Sequence, residues 1–332
     1  MKRFYTWTLV FGMVSFVGTF PLFAQQKLAQ TGMKFLNVGL EARAVALGEA
    51  VTSNEGGSAA MFFNPASMAR LQGSVSVQGG QARWIADIKH TFGSIAFSPS
   101  HGEYGVIGIS VQSVDYGDFQ ETIRSANAQG FLDLGTFKPM ALMVGLGYAR
   151  ALSDKFSVGG NVKYVRQSLG SVLNTTGGEK EGNTTSVFAF DFGILYRTGF
   201  RSLNFGMTVR NFAKEVQFQK EGFQLPLTFR IGVSMNVLDL IQTDSKVHSF
   251  LLTFDAEHPR DFSELVRFGG EYVFMEFLSL RIGYISPADE QKLSYGVGLQ
   301  KEFEGFGFGV DYALTPFGVF DNVQRFSLHF SF

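Results

Sequence analysis

Leu227-Thr-Phe-Arg-Ile-Gly-Val-Ser-Met-Asn-Val237 alternates without a break. Leu227, Phe229, Ile231, Val233, Met235 and Val237 point one way, and Thr228, Arg230, Gly232, Ser234 and Asn236 the other. A period of two belongs to a strand with one apolar and one polar face, whereas a helix would return its apolar residues every three or four positions. The same alternation recurs in Phe188/Phe190/Phe192/Ile194/Tyr196, Leu203/Phe205/Met207/Val209, Leu278/Leu280/Ile282/Tyr284 and Phe306/Phe308/Val310/Tyr312/Leu314.

Working outward with this period predicts strands at 73–82, 89–98, 103–114, 139–150, 155–168, 184–198, 202–212, 225–237, 247–257, 264–275, 278–286, 292–303, 306–315 and 323–332. Most are close to the ~10 residues that a tilted membrane strand needs, and longer than the ~5–6 usual in soluble sheets. The connections alternate too. After the first, the odd-numbered ones (115–138, 169–183, 213–224, 258–263, 287–291, 316–322) are longer than their even-numbered neighbours in nearly every comparison, with 238–246 the exception. Outer-membrane barrels have short periplasmic turns and longer outside loops, so this parity predicts an all-β transmembrane antiparallel β-barrel of about 14 strands with the N-terminal segment and the last residue on the periplasmic side. A soluble sandwich would bury its apolar face in a core. Here the opposite face carries Gly, Ser, Thr, Asn and isolated charges, which suits a wet lumen. Tyr104, Tyr148, Tyr164, Tyr272 and Tyr312 stand near strand ends, as in an interfacial aromatic girdle.

Composition agrees. The 332 residues include 39 Gly and 37 Phe but 8 Pro, with 45% hydrophobic and 17% charged residues, against ~25% charged in ordinary soluble domains. Net charge is −1, so no basic field for nucleic acid exists. Cysteine is absent, which excludes disulfides, thiolate metal sites, a catalytic thiol and a lipid-anchored N-terminal cysteine.

The chain opens Met1-Lys2-Arg3, continues with an apolar run from Phe4 to Phe23 containing Pro21, and reaches Ala24 before Gln25-Gln26-Lys27. Basic, apolar and small residues in that order predict a cleaved secretory signal peptide at 1–24. A retained anchor is the alternative, since the run is just long enough to span. Two further units are expected, an N-terminal segment at 25–71 and the barrel at 72–332.

Within the N-terminal segment, Glu41-Ala-Arg-Ala-Val-Ala-Leu-Gly-Glu-Ala-Val-Thr52 is alanine-rich and suits a short helix ending near Gly48 or Asn54. Asn64-Pro65-Ala66 suits the start of a second, because Asn accepts a backbone N–H as cap and Pro lacks one to satisfy. Too small for a domain, this stretch is expected to lie inside the barrel or beneath it. At the other end Phe326, Leu328, Phe330 and Phe332 share one face of the last strand, which resembles the sorting signal of bacterial outer-membrane barrels.

The opening Phe35-Leu-Asn-Val-Gly-Leu-Glu-Ala-Arg-Ala-Val-Ala-Leu-Gly-Glu-Ala50, followed by Asn64-Pro65-Ala66 and Leu71, resembles the PorV/PorQ family of outer-membrane proteins, relatives of FadL-type long-chain fatty acid transporters. The resemblance implies a fourteen-stranded barrel with a periplasmic-side hatch that includes Asn64, Pro65 and Ala66. For the PorV branch it implies a role in type IX secretion, binding exported proteins at the cell surface. The alternative is a FadL-like channel taking up hydrophobic small molecules.

No catalytic constellation supports an enzyme. His90, His101, His248, His258 and His329 are dispersed without zinc-ligand spacing, and no GxSxG elbow or phosphate-binding loop occurs. No metal or cofactor is expected. Lys163, Asp191, Arg197, Arg210, Arg230, Arg267, Glu271, Arg281, Asp311 and Arg325 fall on the lumenal face by parity. Ionisable groups at membrane depth face water or each other, so these either brace the wall as ion pairs or line a conduction or ligand path. Expected partners are outer-membrane lipid, the barrel assembly machinery, and either secreted proteins and type IX components or a hydrophobic ligand. The loop 115–138, with Tyr116, Phe119, Phe131, Leu132, Leu134 and Phe137, suits either one.

Overall fold

The computed structural model describes residues 31–332 except 174–179, 219–220 and 242–246. The expected signal peptide lies outside the described residues. No described helix is long and apolar enough to cross a membrane, and the chain is built instead on strands.

The described residues form eighteen strands: β1 (Val75–Arg83), β2 (Lys89–Phe97), β3 (Val106–Asp115), β4 (Phe119–Arg124), β5 (Phe131–Phe137), β6 (Met140–Ala151), β7 (Phe156–Leu173), β8 (Lys180–Arg197), β9 (Asn204–Ala213), β10 (Val216–Gln217), β11 (Gly222–Phe223), β12 (Thr228–Asn236), β13 (His248–Pro259), β14 (Leu265–Phe274), β15 (Leu278–Ser286), β16 (Leu293–Phe303), β17 (Phe306–Phe317) and β18 (Phe320–Ser331). Fourteen of them close into one antiparallel barrel in the order β1-β2-β3-β6-β7-β8-β9-β12-β13-β14-β15-β16-β17-β18, with β18 paired back onto β1. The other four make two small hairpins in the connections, β4 with β5 and β10 with β11. Closure leaves no open sheet edge, as a lipid environment demands.

The fourteen-strand count from periodicity holds. In β12, Thr228, Arg230, Gly232 and Ser234 are buried while Ile231 and Val233 are exposed on the outer wall. Leu146, Phe188, Phe192, Leu280 and Ile282 also stand outside, each more than half exposed. This is the apolar band expected of a membrane barrel. Tyr104, Tyr148, Tyr164 and Tyr312 are exposed as well, and Tyr272 partly so.

The structure departs from the sequence reading in three places. First, 169–173 and 180–183, expected within a loop, are strand: β7 and β8 run 18 residues each, and their pairing continues past an irregularity to Leu173↔Lys180. Alternation fades there because strand projecting beyond the bilayer has no lipid face to keep apolar. Second, the 115–138 loop is mostly the β4–β5 hairpin, with Phe119, Phe131 and Leu132 exposed. Third, the lumen is filled, and one side of it is apolar. Inward Phe92, Val114, Met143, Val165 and Val187 pack against Phe35, Leu36, Leu40, Phe62 and Phe63 of the N-terminal segment, with Phe62 meeting Phe92 edge-on at 5.5 Å. Burying large apolar side chains contributes roughly 1.5–3 kcal/mol each, so this contact is a principal reason the segment stays inside.

Candidate functional site

The N-terminal segment threads the bore from one end to the other. Thr31 bridges to Gln224, and its hydroxyl bonds to Asp261, at the end that carries the long connections, so the segment is not confined to the periplasmic side as expected but starts at the opposite end, held there by these bonds. Arg70 reaches the Ser153 carbonyl at the short-turn end, 2.8 Å away. Local chemistry sets the path between. Glu41 caps the one-turn helix α1 (Ala42–Ala46), accepting from the Ala44 amide at 2.6 Å and the Arg43 amide at 3.2 Å. It also takes a bond from Gln78 of the wall at 3.0 Å. Asn64 caps the 3-10 turn Pro65–Arg70 through the Ala66 amide at 3.1 Å, with Pro65 in its first position. The Asn64 amide then donates to the Thr52 carbonyl at 2.7 Å and to the Ile194 carbonyl of β8 at 3.0 Å. One side chain thus caps its own helix, closes the segment on itself and ties it to the wall.

Glycines in the wall make room for this. A Cβ at Gly193 would collide with the Asn64 carbonyl oxygen, and one at Gly159 with the Pro65–Ala66 backbone. Bare backbone allows the close approach that a side chain would forbid.

The lumenal charges form three clusters. In the first, Arg43 of the segment meets Glu271 at 2.6 Å, Glu271 meets Arg281 at 2.6 Å, and Arg281 meets Asp311 at 2.5 Å. Arg281 crosses β16 to do so over Gly298, where a Cβ would press on the tips of both Arg281 and Asp311. His329 lies 3.4 Å from Asp311. In the second, Glu49 of the segment and Glu257 both bond Arg230 at 3.1 Å, and Glu257 bonds Arg267 at 2.6 Å. In the third, Lys163 meets Asp191 at 2.7 Å and the Asn211 amide oxygen at 2.5 Å, while Arg210 donates to the Leu36 carbonyl at 3.3 Å. All eight lumenal candidates, Lys163, Asp191, Arg210, Arg230, Arg267, Glu271, Arg281 and Asp311, are therefore inward and buried. Arg325 donates to the Gly39 carbonyl at 2.8 Å, and Arg197 pairs with Glu55 at 2.5 Å. The pairs run both from segment to wall and from wall to wall, so the geometry is that of bracing. Phe326, Leu328 and Phe330 of β18 and the following Phe332 lie on the outer face of the wall, opposite the lumenal side of Arg325 and Ser327, with Phe330 against Phe306 and Phe308.

Sequence reasoning missed Asn211, Glu49, Glu55, Glu257 and Asp255, whose carboxylate accepts from the Thr52 amide of the segment at 3.1 Å. Asn211 follows inward Arg210 and should face lipid. A bulge opposite Phe190/Phe192 turns it inward, with Asn211 at φ 61. The available signal was two consecutive polar residues, the second an Asn, which tolerates that conformation. Asp255 and Glu257 alternate with outward Phe254 and Ala256, so parity alone could have found them.

Above the segment, at the long-connection end, opens a bowl of about 950 Å³. Met33, Phe35, Val38 and Gly39 form its floor, Trp84, Ile88, Tyr116, Phe223, Phe262 and Ile285 its apolar walls, and Pro287–Gln291 part of its rim. At the opposite end a second cavity of about 580 Å³ is lined by Arg43, Glu55, Lys155, Arg197 and Arg201, so it is charged where the bowl is apolar. The segment separates the two.

No family model matches the chain, and no curated protein does. Solved structures do. The toluene transporter TbuX of Ralstonia pickettii superposes with a TM-score of 0.58 at 12% identity, over 88% of this chain and 97% of that one. The toluene transporter TodX of Pseudomonas putida gives 0.56 at 11%, over 92% and 98%. A FadL homologue of Pseudomonas aeruginosa gives 0.50 at 10%, over 93% and 98%. At such identities the likeness is one of fold alone: the chain shares the barrel architecture of these proteins.

Proposed function

We propose that the protein is an outer-membrane channel that takes up hydrophobic small molecules, with the apolar bowl as receiving site and residues 31–71 as the plug beneath it. Long connections face outward in barrels of this class, which directs the bowl to the cell exterior and the charged cavity to the periplasm. The observation that carries the reading is the bowl itself. A concave site of ~300–1,000 Å³ with mostly apolar walls and a few polar groups is the usual form of a small-molecule site, and this one lies at the outer end of a closed bore. Its architectural neighbours TbuX and TodX are toluene transporters.

The secretion role implied by the PorV/PorQ-like opening rests on that sequence motif alone. A platform for exported proteins needs no enclosed apolar volume, whereas uptake of greasy molecules does.

Binding tests the proposal. Only Trp7 and Trp84 occur in the chain, so in a Trp7→Phe protein in lipid nanodiscs Trp84 alone reports on the bowl. 1-Bromododecane should quench it saturably, and Val38→Asp, which puts a charge in the floor, should abolish the saturable component. Quenching that rises linearly and equally in both proteins is partition into lipid and would refute the proposal.

A further inference from the structure

The bowl holds fixed charges, and their pairing says which hydrophobic molecules fit. We propose that it accepts uncharged apolar molecules and rejects carboxylates such as fatty-acid anions. This inference rests on the uptake reading above and specifies its substrate class.

Among the described residues lining the bowl, the fixed cations are Lys34 and Arg267. Both are already taken. Lys34 pairs with Asp261 beside the rim. Arg267 bonds Glu257 at 2.6 Å and the Gly48 carbonyl at 3.1 Å, with Glu49 at 3.9 Å. His90 is engaged from the side by the Gln112 amide at 3.4 Å and by the edge of Trp84. Carboxylates, by contrast, stand open: Asp289 and Glu290 are exposed on the rim that an entering molecule passes. A carboxylate entering this site would leave water without gaining a free cation, and it would meet like charge at the entrance. Burying a charge is costly unless it is paired, and like charges repel an anion from a cleft they line. An uncharged molecule of the same shape meets neither obstacle.

The test compares two ligands with one apolar body, 12-bromododecanol and 12-bromododecanoate, by Trp84 quenching at pH 8 in the Trp7→Phe protein. Saturable quenching by the alcohol at a concentration at least ten-fold below that needed for the carboxylate is the expected result. Asp261→Asn, which frees Lys34 while preserving the shape of its partner, should narrow that gap at least three-fold, and Asp289→Asn with Glu290→Gln should narrow it independently. Equal binding of the two ligands, or tighter binding of the carboxylate, overturns the selectivity while leaving the uptake reading intact. A gap that none of these substitutions alters overturns its electrostatic origin. If neither ligand quenches saturably, the bowl is not a hydrophobe site and both readings fall.

Discussion

Arg43 of the plug and Glu271 of β14 form a two-pronged pair, with Nε to Oε1 at 2.9 Å and an outer guanidinium nitrogen to Oε2 at 2.6 Å. Glu271 accepts from Arg281 at the same time, at 2.6 Å, so one carboxylate neutralises two guanidinium groups in the bore. Removing it leaves Arg43 without its carboxylate partner and Arg281 with Asp311 alone. Glu271→Ala should therefore destabilise the protein by about 3–5 kcal/mol, the usual cost of breaking a buried pair from one side. Arg43→Met should cost less, because Glu271 keeps Arg281. Urea unfolding from vesicles checks the order, and equal costs would contradict the shared role of Glu271.

Asn64 connects the plug to β8, and its replacement tests that attachment. Asn64→Ala removes a helix cap, typically worth ~1 kcal/mol, together with the bonds to the Thr52 and Ile194 carbonyls. Gly193→Val attacks the same contact from the wall by driving a side chain into Asn64. Both variants should expose the plug to limited proteolysis between residues 41 and 71 while the barrel stays heat-resistant on gels. Protection equal to that of the unaltered protein would show that Asn64 does not hold the plug.

The lipid face can be tested by charge. Ile282→Arg or Leu146→Arg places a guanidinium on the exposed outer wall, where a mid-strand Arg costs about 2–4 kcal/mol. A loss below about 0.5 kcal/mol for both would contradict the facing of β15 and β6.

How far these features could be read from sequence depended on periodicity. Leu227–Val237 announced both faces of its strand because lipid outside and polar groups inside impose opposite demands on alternate residues. Where only one demand acts, the pattern weakens. The projecting parts of β7 and β8 meet no lipid, so 169–183 read as a loop. Phe92 and Met143 are inward yet apolar because they pack on the plug, which a wet-lumen reading does not anticipate. Glu49 and Glu55 lie on irregular backbone, where no period says which way a side chain points, so their pairs with Arg230 and Arg197 became legible only in three dimensions. The bowl was least legible of all, since its walls come from six separate connections and strand ends.

The plug itself is tested by deletion. A fourteen-stranded bore is wider than the roughly eight-stranded one that its own side chains fill, so removal of residues 41–68 should yield an inserted barrel that conducts ions in planar bilayers where the intact protein does not. An inserted barrel with no conductance above the intact level would show that other material closes the bore.

Uptake by living cells tests the central claim most directly. A Gram-negative host lacking hydrocarbon channels is supplied with radiolabelled toluene and made to produce the intact protein, the Val38→Asp variant, or neither, with equal outer-membrane amounts of the first two confirmed by blotting. The account predicts an initial uptake rate several-fold above background for the intact protein and a return to background for Val38→Asp. Uptake by the intact protein no faster than by cells lacking it, or undiminished by Val38→Asp, would contradict the account.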